Sequence, residues 1–209
     1  MAYSDFTLES VESTFRPTTD LGVLFPSPSP VSVPTWLAET LKRGQDAFVL
    51  DSEKLRSEIL VVPILLAVAE NYTPRRLAIF SGQPLDSDPS RGLTGACDFL
   101  IAKTQPVPRL KSPIVSIVEA KKSDLDLGLG LGLGLGLGQC VAQMLGARLF
   151  NELAGEPERV LYGCVTSGRE WQFLRLADQI VTLDREPIFL DNLEGILSRF
   201  HAVLEENPL

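Results

Sequence analysis

Two apolar runs in this chain carry charges where a buried strand tolerates them least. Ala96-Cys97-Asp98-Phe99-Leu100-Ile101-Ala102 is apolar except for Asp98, and Ile114-Val115-Ser116-Ile117-Val118-Glu119-Ala120-Lys121 ends in an acid and a lysine. Short runs of this kind read as strands covered on both faces. A bare carboxylate inside one is costly unless a partner or a cation meets it. In an extended chain, residues two apart point to the same face, roughly 6.6–7 Å apart. Glu119 and Lys121 therefore project together, and a neighbouring strand would bring Asp98 beside them.

The surrounding pattern predicts an α/β layout with a central mixed β-sheet flanked by helices. A short helix is expected over Trp36 to Gln45. A second, capped by Asp51 or Ser52, should run to about Asn71, with Pro63 kinking or splitting it. Its apolar stripe reads Leu55, Ile59, Val62, Leu66 and Ala69, which places Glu58 on the buried side. Strands are expected at Leu77 to Phe80, Gly95 to Ala102 and Pro113 to Ala120, then a helix over Gln139 to Leu153. Val160 to Thr166 and Trp171 to Leu176 read as a hairpin, Ile180 to Leu183 as an edge strand, and Leu193 to Leu204 as a closing helix. Residues 1–50, with Pro26, Pro28, Pro30 and Pro34, read as an arm packed on a core domain of 51–209.

Composition removes several alternatives. The chain has 209 residues, 44% of them apolar, enough for one ordinary domain with a real core. No apolar run reaches membrane-spanning length, and the first residues lack a basic region followed by an apolar one, so a cytoplasmic setting is expected. Three scattered cysteines and one histidine argue against a disulfide framework, a zinc site or a histidine-based triad. The net charge of −8 opposes nucleic-acid binding, yet Arg75-Arg76, Lys103, Arg109, Lys111 and Lys121-Lys122 gather around the carboxylates. No phosphate-cradling or dinucleotide-binding glycine loop is present.

Leu127 to Gly138 repeats Leu-Gly six times. Glycine disfavours a helix by about 1 kcal/mol per residue relative to alanine. An extended tract would set every leucine on one face, a surface expected to pack on its own domain or on a second copy. An expanded loop without function is the plainer alternative, and the helix that follows could absorb the last residues, since Leu135 and Leu137 lead into Gln139.

Two acids and a lysine on one sheet face suit metal-assisted phosphodiester chemistry. Glu58 on a helix, Asp98, the Glu119-Ala120-Lys121 strand end, and a helix carrying Gln139 and Gln143 together resemble the PD-(D/E)XK nuclease superfamily, over roughly Ser52 to Trp171. Cys97 stands where that family's name-giving proline would precede the aspartate. The resemblance implies a restriction-endonuclease-like core. It implies Mg²⁺ or Mn²⁺ held by Asp98, Glu119, the backbone carbonyl of Ala120 and Glu58. It implies Lys121 positioning the attacking water, with Gln139 and Gln143 as a glutamine motif on the next helix. DNA is the implied substrate and a homodimer the implied assembly.

Blander readings stay open. Glu119 and Lys121 would serve as a solvated strand-end pair, Asp98 as a turn carboxylate bonded to backbone. Glu58 would pair with Arg56, Arg75 or Arg76, and the glutamines would cap and pack the helix. Two functions follow: a Mg²⁺-dependent endonuclease, or a nuclease-fold protein without turnover that acts as a binding or regulatory module.

Overall fold

The computed structural model describes residues 1–72, 76–121, 132–156 and 160–206. Its centre is a mixed eight-stranded sheet. The strands are β1 (Thr18–Gly22), β2 (Ala78–Pro84), β3 (Ala96–Ala102), β4 (Ile114–Ala120), β5 (Leu161–Thr166), β6 (Glu170–Ala177), β7 (Ile180–Asp184) and β8 (Ile188–Phe189). They lie in the order β1-β7-β6-β5-β4-β3-β2, with β8 pairing β6 beside this path. The helices are α1 (Leu8–Phe15), α2 (Thr35–Ala47), α3 (Glu53–Arg56), α4 (Val62–Asn71), α5 (Gly132–Leu153) and α6 (Leu193–Glu206).

The central strands β4 and β5 are buried along their whole length, which is why their sequences are nearly continuous apolar runs. They pair parallel, and a parallel pair needs a long crossover, here supplied by α5. β2, β3 and β4 form an antiparallel meander. One core fills the face under α1 and α5, around Phe6, Leu100, Ile117, Val141 and Met144. The other fills the face under α2, α4 and α6, around Leu60, Ile64, Val118, Trp171 and Phe200.

The predicted strands and helices stand close to their expected bounds, and four expectations need correction. Ile180 to Leu183 is not an edge, because β1 pairs parallel outside it. β1 has no apolar alternation to announce it. The first residues also enter the core directly: Tyr3, Phe6 and Val11 are buried, and the Tyr3 hydroxyl donates to the Leu85 carbonyl at 2.8 Å.

The second correction concerns the helix after Asp51. Ser52 caps it as expected, accepting from the Leu55 amide at 3.2 Å, and it ends at Asn71. Between α3 and α4, however, Ser57–Val61 forms a π-turn just ahead of Pro63, which then sits in the first turn of α4. A π-turn admits an extra residue, so the helix face rotates relative to a regular 3.6-residue pattern. Leu60, Ile64, Ala67 and Val68 are buried, while Val62 and Leu66 of the predicted stripe are exposed. Glu58 follows them onto the open side.

The third correction is the Leu-Gly tract. Its first residues, to Leu131, lie outside the described residues, as do Arg75 and Lys122. From Gly132 the chain is helical, in place of the expected extended segment, and Leu137 is buried in the core of its own domain. Packing explains the glycine at Gly138: a Cβ there would overlap the backbone of Thr7 and Leu8 at the start of α1. At Gly136 a Cβ would press on Val165 at 3.1 Å and Lys121 at 3.4 Å. The fourth correction is the extent of this helix, which is already described at Gly132, seven residues before Gln139.

Candidate functional site

The site forms where β3 begins and β4 ends. Val115 is an extra residue in β4, since Ala102 pairs with Ile114 while Ile101 pairs with Ser116. From there Phe99 pairs with Val118, the last pair of this ladder, and Asp98 and Glu119 are the next residue of each strand. The Asp98 carboxylate lies near enough to Glu119 to raise its proton affinity. The side chain of Asp98 replaces a ladder bond, accepting the Ala120 amide on Oδ2 at 2.8 Å.

Glu119 is buried and points toward α5. Lys121 Nζ donates to its Oε1 at 2.6 Å, and Gln143 Nε2 donates to its Oε2 at 2.8 Å. Lys121 Nζ also donates to Gln139 Oε1 at 3.0 Å. Gln139 and Gln143, one helical turn apart on α5, thus both face the strand end. The Lys121 amide donates to the Thr166 carbonyl on β5 at 2.7 Å, which fixes the backbone that carries the lysine. Gln143 is fully buried, and its Oε1 has no hydrogen-bond partner among the described residues.

The electrostatics are unbalanced. Burial, reinforced by the neighbouring Asp98 carboxylate, pushes the Glu119 carboxyl up to about 7. The Lys121 ammonium and the Gln143 hydrogen bond pull the other way and do not offset it. Burial also raises the Cys97 and Cys140 thiols, and Glu119 adds to both. Among the described residues, Lys121 pairs with Glu119 while Asp98 stands near it.

Glu58 stands apart from this cluster. Its side chain is 55% exposed and lies 3.9 Å from Lys54 Nζ, not from Arg56, whose Nε donates to the Leu50 carbonyl instead. It nevertheless lines a cavity of about 280 Å³ together with Lys54, Ser57, Ser81, Asp98, Phe99 and Ala120. Glu58 and Asp98 therefore open onto the same space from α3–α4 and β3. Sequence spacing missed Ser57 and Ser81. The signal for Ser81 was its place on a strand next to β3, where it pairs with Phe99.

Two neighbouring carboxylates, one with its proton affinity raised, make a donor set suited to a hard divalent cation, which takes oxygen ligands and keeps several waters. Asp98 and Glu119 are the residues able to hold it, with Glu58 reaching the same cavity. Among the described residues no three His, Cys, Asp or Glu side chains are grouped to hold a metal ion on their own. Water would have to complete the shell. Among the described residues no helix is long and apolar enough to cross a membrane. Compared with protein-family models and with curated proteins, the chain matches none.

Proposed function

We propose that this chain is a divalent-metal-dependent nuclease with a restriction-endonuclease-like core, hydrolysing phosphodiester bonds in DNA. The observation that carries the reading is the meeting of acids at one strand end, where Asp98 stands near Glu119 and raises its proton affinity while Lys121 is the described residue that pairs with Glu119. The order of elements supports it: a helix bearing Glu58, the Asp98 strand, the Glu119–Lys121 strand, the glutamine helix, and then a strand parallel to β4.

Asp98 and Glu119 are the proposed ligands of Mg²⁺ or Mn²⁺, which when bound would polarise a phosphodiester and acidify a coordinated water. The protein's own part is positional. Lys121, held between Glu119 and Gln139, orients the attacking water and offsets charge on the phosphate. Gln143 keeps Glu119 in place from the buried side. A homodimer belongs to the same proposal, and sedimentation tests it.

A second reading has an observation in its favour. Both Glu119 oxygens are already taken by protein donors, as in a closed structural cluster. A nuclease-like fold serving as a binding module would keep that arrangement. Nicking of supercoiled plasmid with Mg²⁺ or Mn²⁺ separates the two. The nuclease reading expects cleavage that Asp98→Ala and Glu119→Ala abolish and Lys121→Ala slows. Cleavage equal in all three variants would overturn it.

A further inference from the structure

The cavity beside Asp98 does not end at the acids. It shares Val62, Ser81 and Phe99 with a second cleft of about 290 Å³ that runs between α4 and β2. The walls of that cleft are apolar, with Leu66 and Ala69 on one side and Leu77 and Ile79 on the other. Val62 is 42% exposed and Leu66 50%, although both belong to a helix that otherwise buries its apolar residues. β2 is the last described strand of the sheet, so no strand among the described residues covers this side. From Ser81 to Leu77 the cleft follows four residues of extended chain, about 14 Å.

A third cleft, of about 390 Å³, lies where Leu77 ends the apolar walls. Arg76, Lys103 and Lys111 line it, and no carboxylate does. Lys103 is buried, donating to the Leu204 carbonyl with its ammonium over the Tyr72 ring. Arg76 and Lys111 are exposed and have no ion-pair partner among the described residues. In a chain of net charge −8, exposed Arg76 and Lys111 around one cleft with no acid among its described lining residues reverse the average surface. The sequence thus lays out a track of Asp98 with Glu58, apolar walls and cationic end along one side of the meander.

We propose that this track binds a single strand of nucleic acid. A phosphate sits at Arg76 and Lys111, bases and sugars lie against Val62, Leu66 and Ile79, and the strand continues to Asp98, beside the proposed metal site. The inference rests on the reading of Asp98 and Glu119 as a phosphodiester site. Single strands expose base faces that apolar walls can cover, whereas a duplex keeps them stacked inside. At the 3.4 Å rise per nucleotide of stacked DNA, the apolar section holds up to about four nucleotides. The cationic end supplies the backbone attraction, and its distance from the acids keeps like charges on protein and ligand apart.

The test is fluorescence anisotropy with a labelled oligodeoxynucleotide of about ten nucleotides, single-stranded and as the matching duplex, in EDTA so that no cleavage is needed. The single strand is expected to bind on the order of tenfold tighter than the duplex. Arg76→Glu with Lys111→Glu should weaken it at least as much and flatten the salt dependence by about 0.7 per lost contact. Leu66→Glu should weaken binding with an unchanged unfolding midpoint, while Asp98→Asn should tighten it. Equal binding of duplex and single strand overturns the proposal, as does unchanged binding in the Arg76/Lys111 variant. An acidic, apolar peptide that binds the track more tightly than the oligonucleotide also overturns it. The two readings fail separately. Plasmid cleavage with undisturbed binding in the track variants removes the track alone, and binding lost in those variants without any cleavage removes the nuclease alone.

Discussion

Two buried ion pairs sit on opposite sides of this sheet, and they differ in one respect. At the far side Asp184 faces Arg199 at 3.4 Å, with Oδ1 accepting the Leu24 amide and the guanidinium lying near the rings of Phe25 and Phe173. Gln172 adds a bond to the Asp184 carbonyl at 2.7 Å. One acid meets one base, and the pair fastens the chain after β1 to β7 and α6. At the near side Glu119 meets Lys121 at 2.6 Å, but Asp98 stands beside them and pushes the Glu119 carboxyl up. The one-to-one pair ties elements of the fold together, with Asp184 Oδ2 and Arg199 Nη1 making no hydrogen bond among the described residues, whereas both Glu119 oxygens are bonded and a second acid stands beside them. That extra acid, not burial or pairing as such, is what the proposed function rests on.

The largest effect should come from opening the one-to-one pair. Arg199→Met leaves Asp184 buried and unanswered, and about 3–5 kcal/mol of stability should be lost in urea unfolding. Lys121→Met should cost less, because its ammonium is 24% exposed and Glu119 retains Gln143 and can keep a proton. Equal losses would erase the distinction.

The next effect is on pH. An unfolded glutamate releases its proton near 4.5 and the folded Glu119 near 7. Between those values the folded state holds a proton that the unfolded state has lost, so stability falls as pH rises. The contribution is complete below 4.5 and gone above 7. At about 1.4 kcal/mol per unit it amounts to on the order of 3 kcal/mol. Glu119→Gln should flatten the curve over that window, and an unchanged slope would place the titration elsewhere.

Smaller still, Asp98→Asn keeps an acceptor for the Ala120 amide while removing the extra acid's charge. It should raise stability at pH 8 without metal by about 1 kcal/mol, the size of one relieved contact between partly screened charges. Asp184→Asn, the same chemical change in the one-to-one pair, should lower it. Opposite signs sharpen the comparison, and matching signs would break it.

Much of this was legible beforehand, for identifiable reasons. Asp98, Glu119 and Lys121 stand out because a strand has a fixed two-residue period and charge in an apolar run is visible without knowing the fold. Gln139 and Gln143 follow from the one-turn spacing of a regular helix, and both meet the site. Glu58 was placed on the wrong side because the π-turn over Ser57–Val61 shifts the helix phase, and periodicity assumes a constant one. The helical Gly132–Gly138 was hidden for a different reason. Intrinsic propensity argues against it, and the close approach of the Thr7–Leu8 backbone to Gly138 is a tertiary contact. β1, with the sequence Thr-Thr-Asp-Leu-Gly, is specified by pairing with β7 and carries no pattern of its own.

The central claim is that Asp98 and Glu119 form an anionic site with room for a divalent cation. Titration of Mn²⁺ followed by electron paramagnetic resonance at pH 8 tests it directly, since bound Mn²⁺ loses the sharp signal of the free ion. The wild-type protein should bind one Mn²⁺ per chain in competition with Mg²⁺. Asp98→Asn and Glu119→Gln should each abolish that binding, and Asp184→Asn should leave it intact. Binding that survives in both site variants, or no binding in the wild-type protein, would contradict the account.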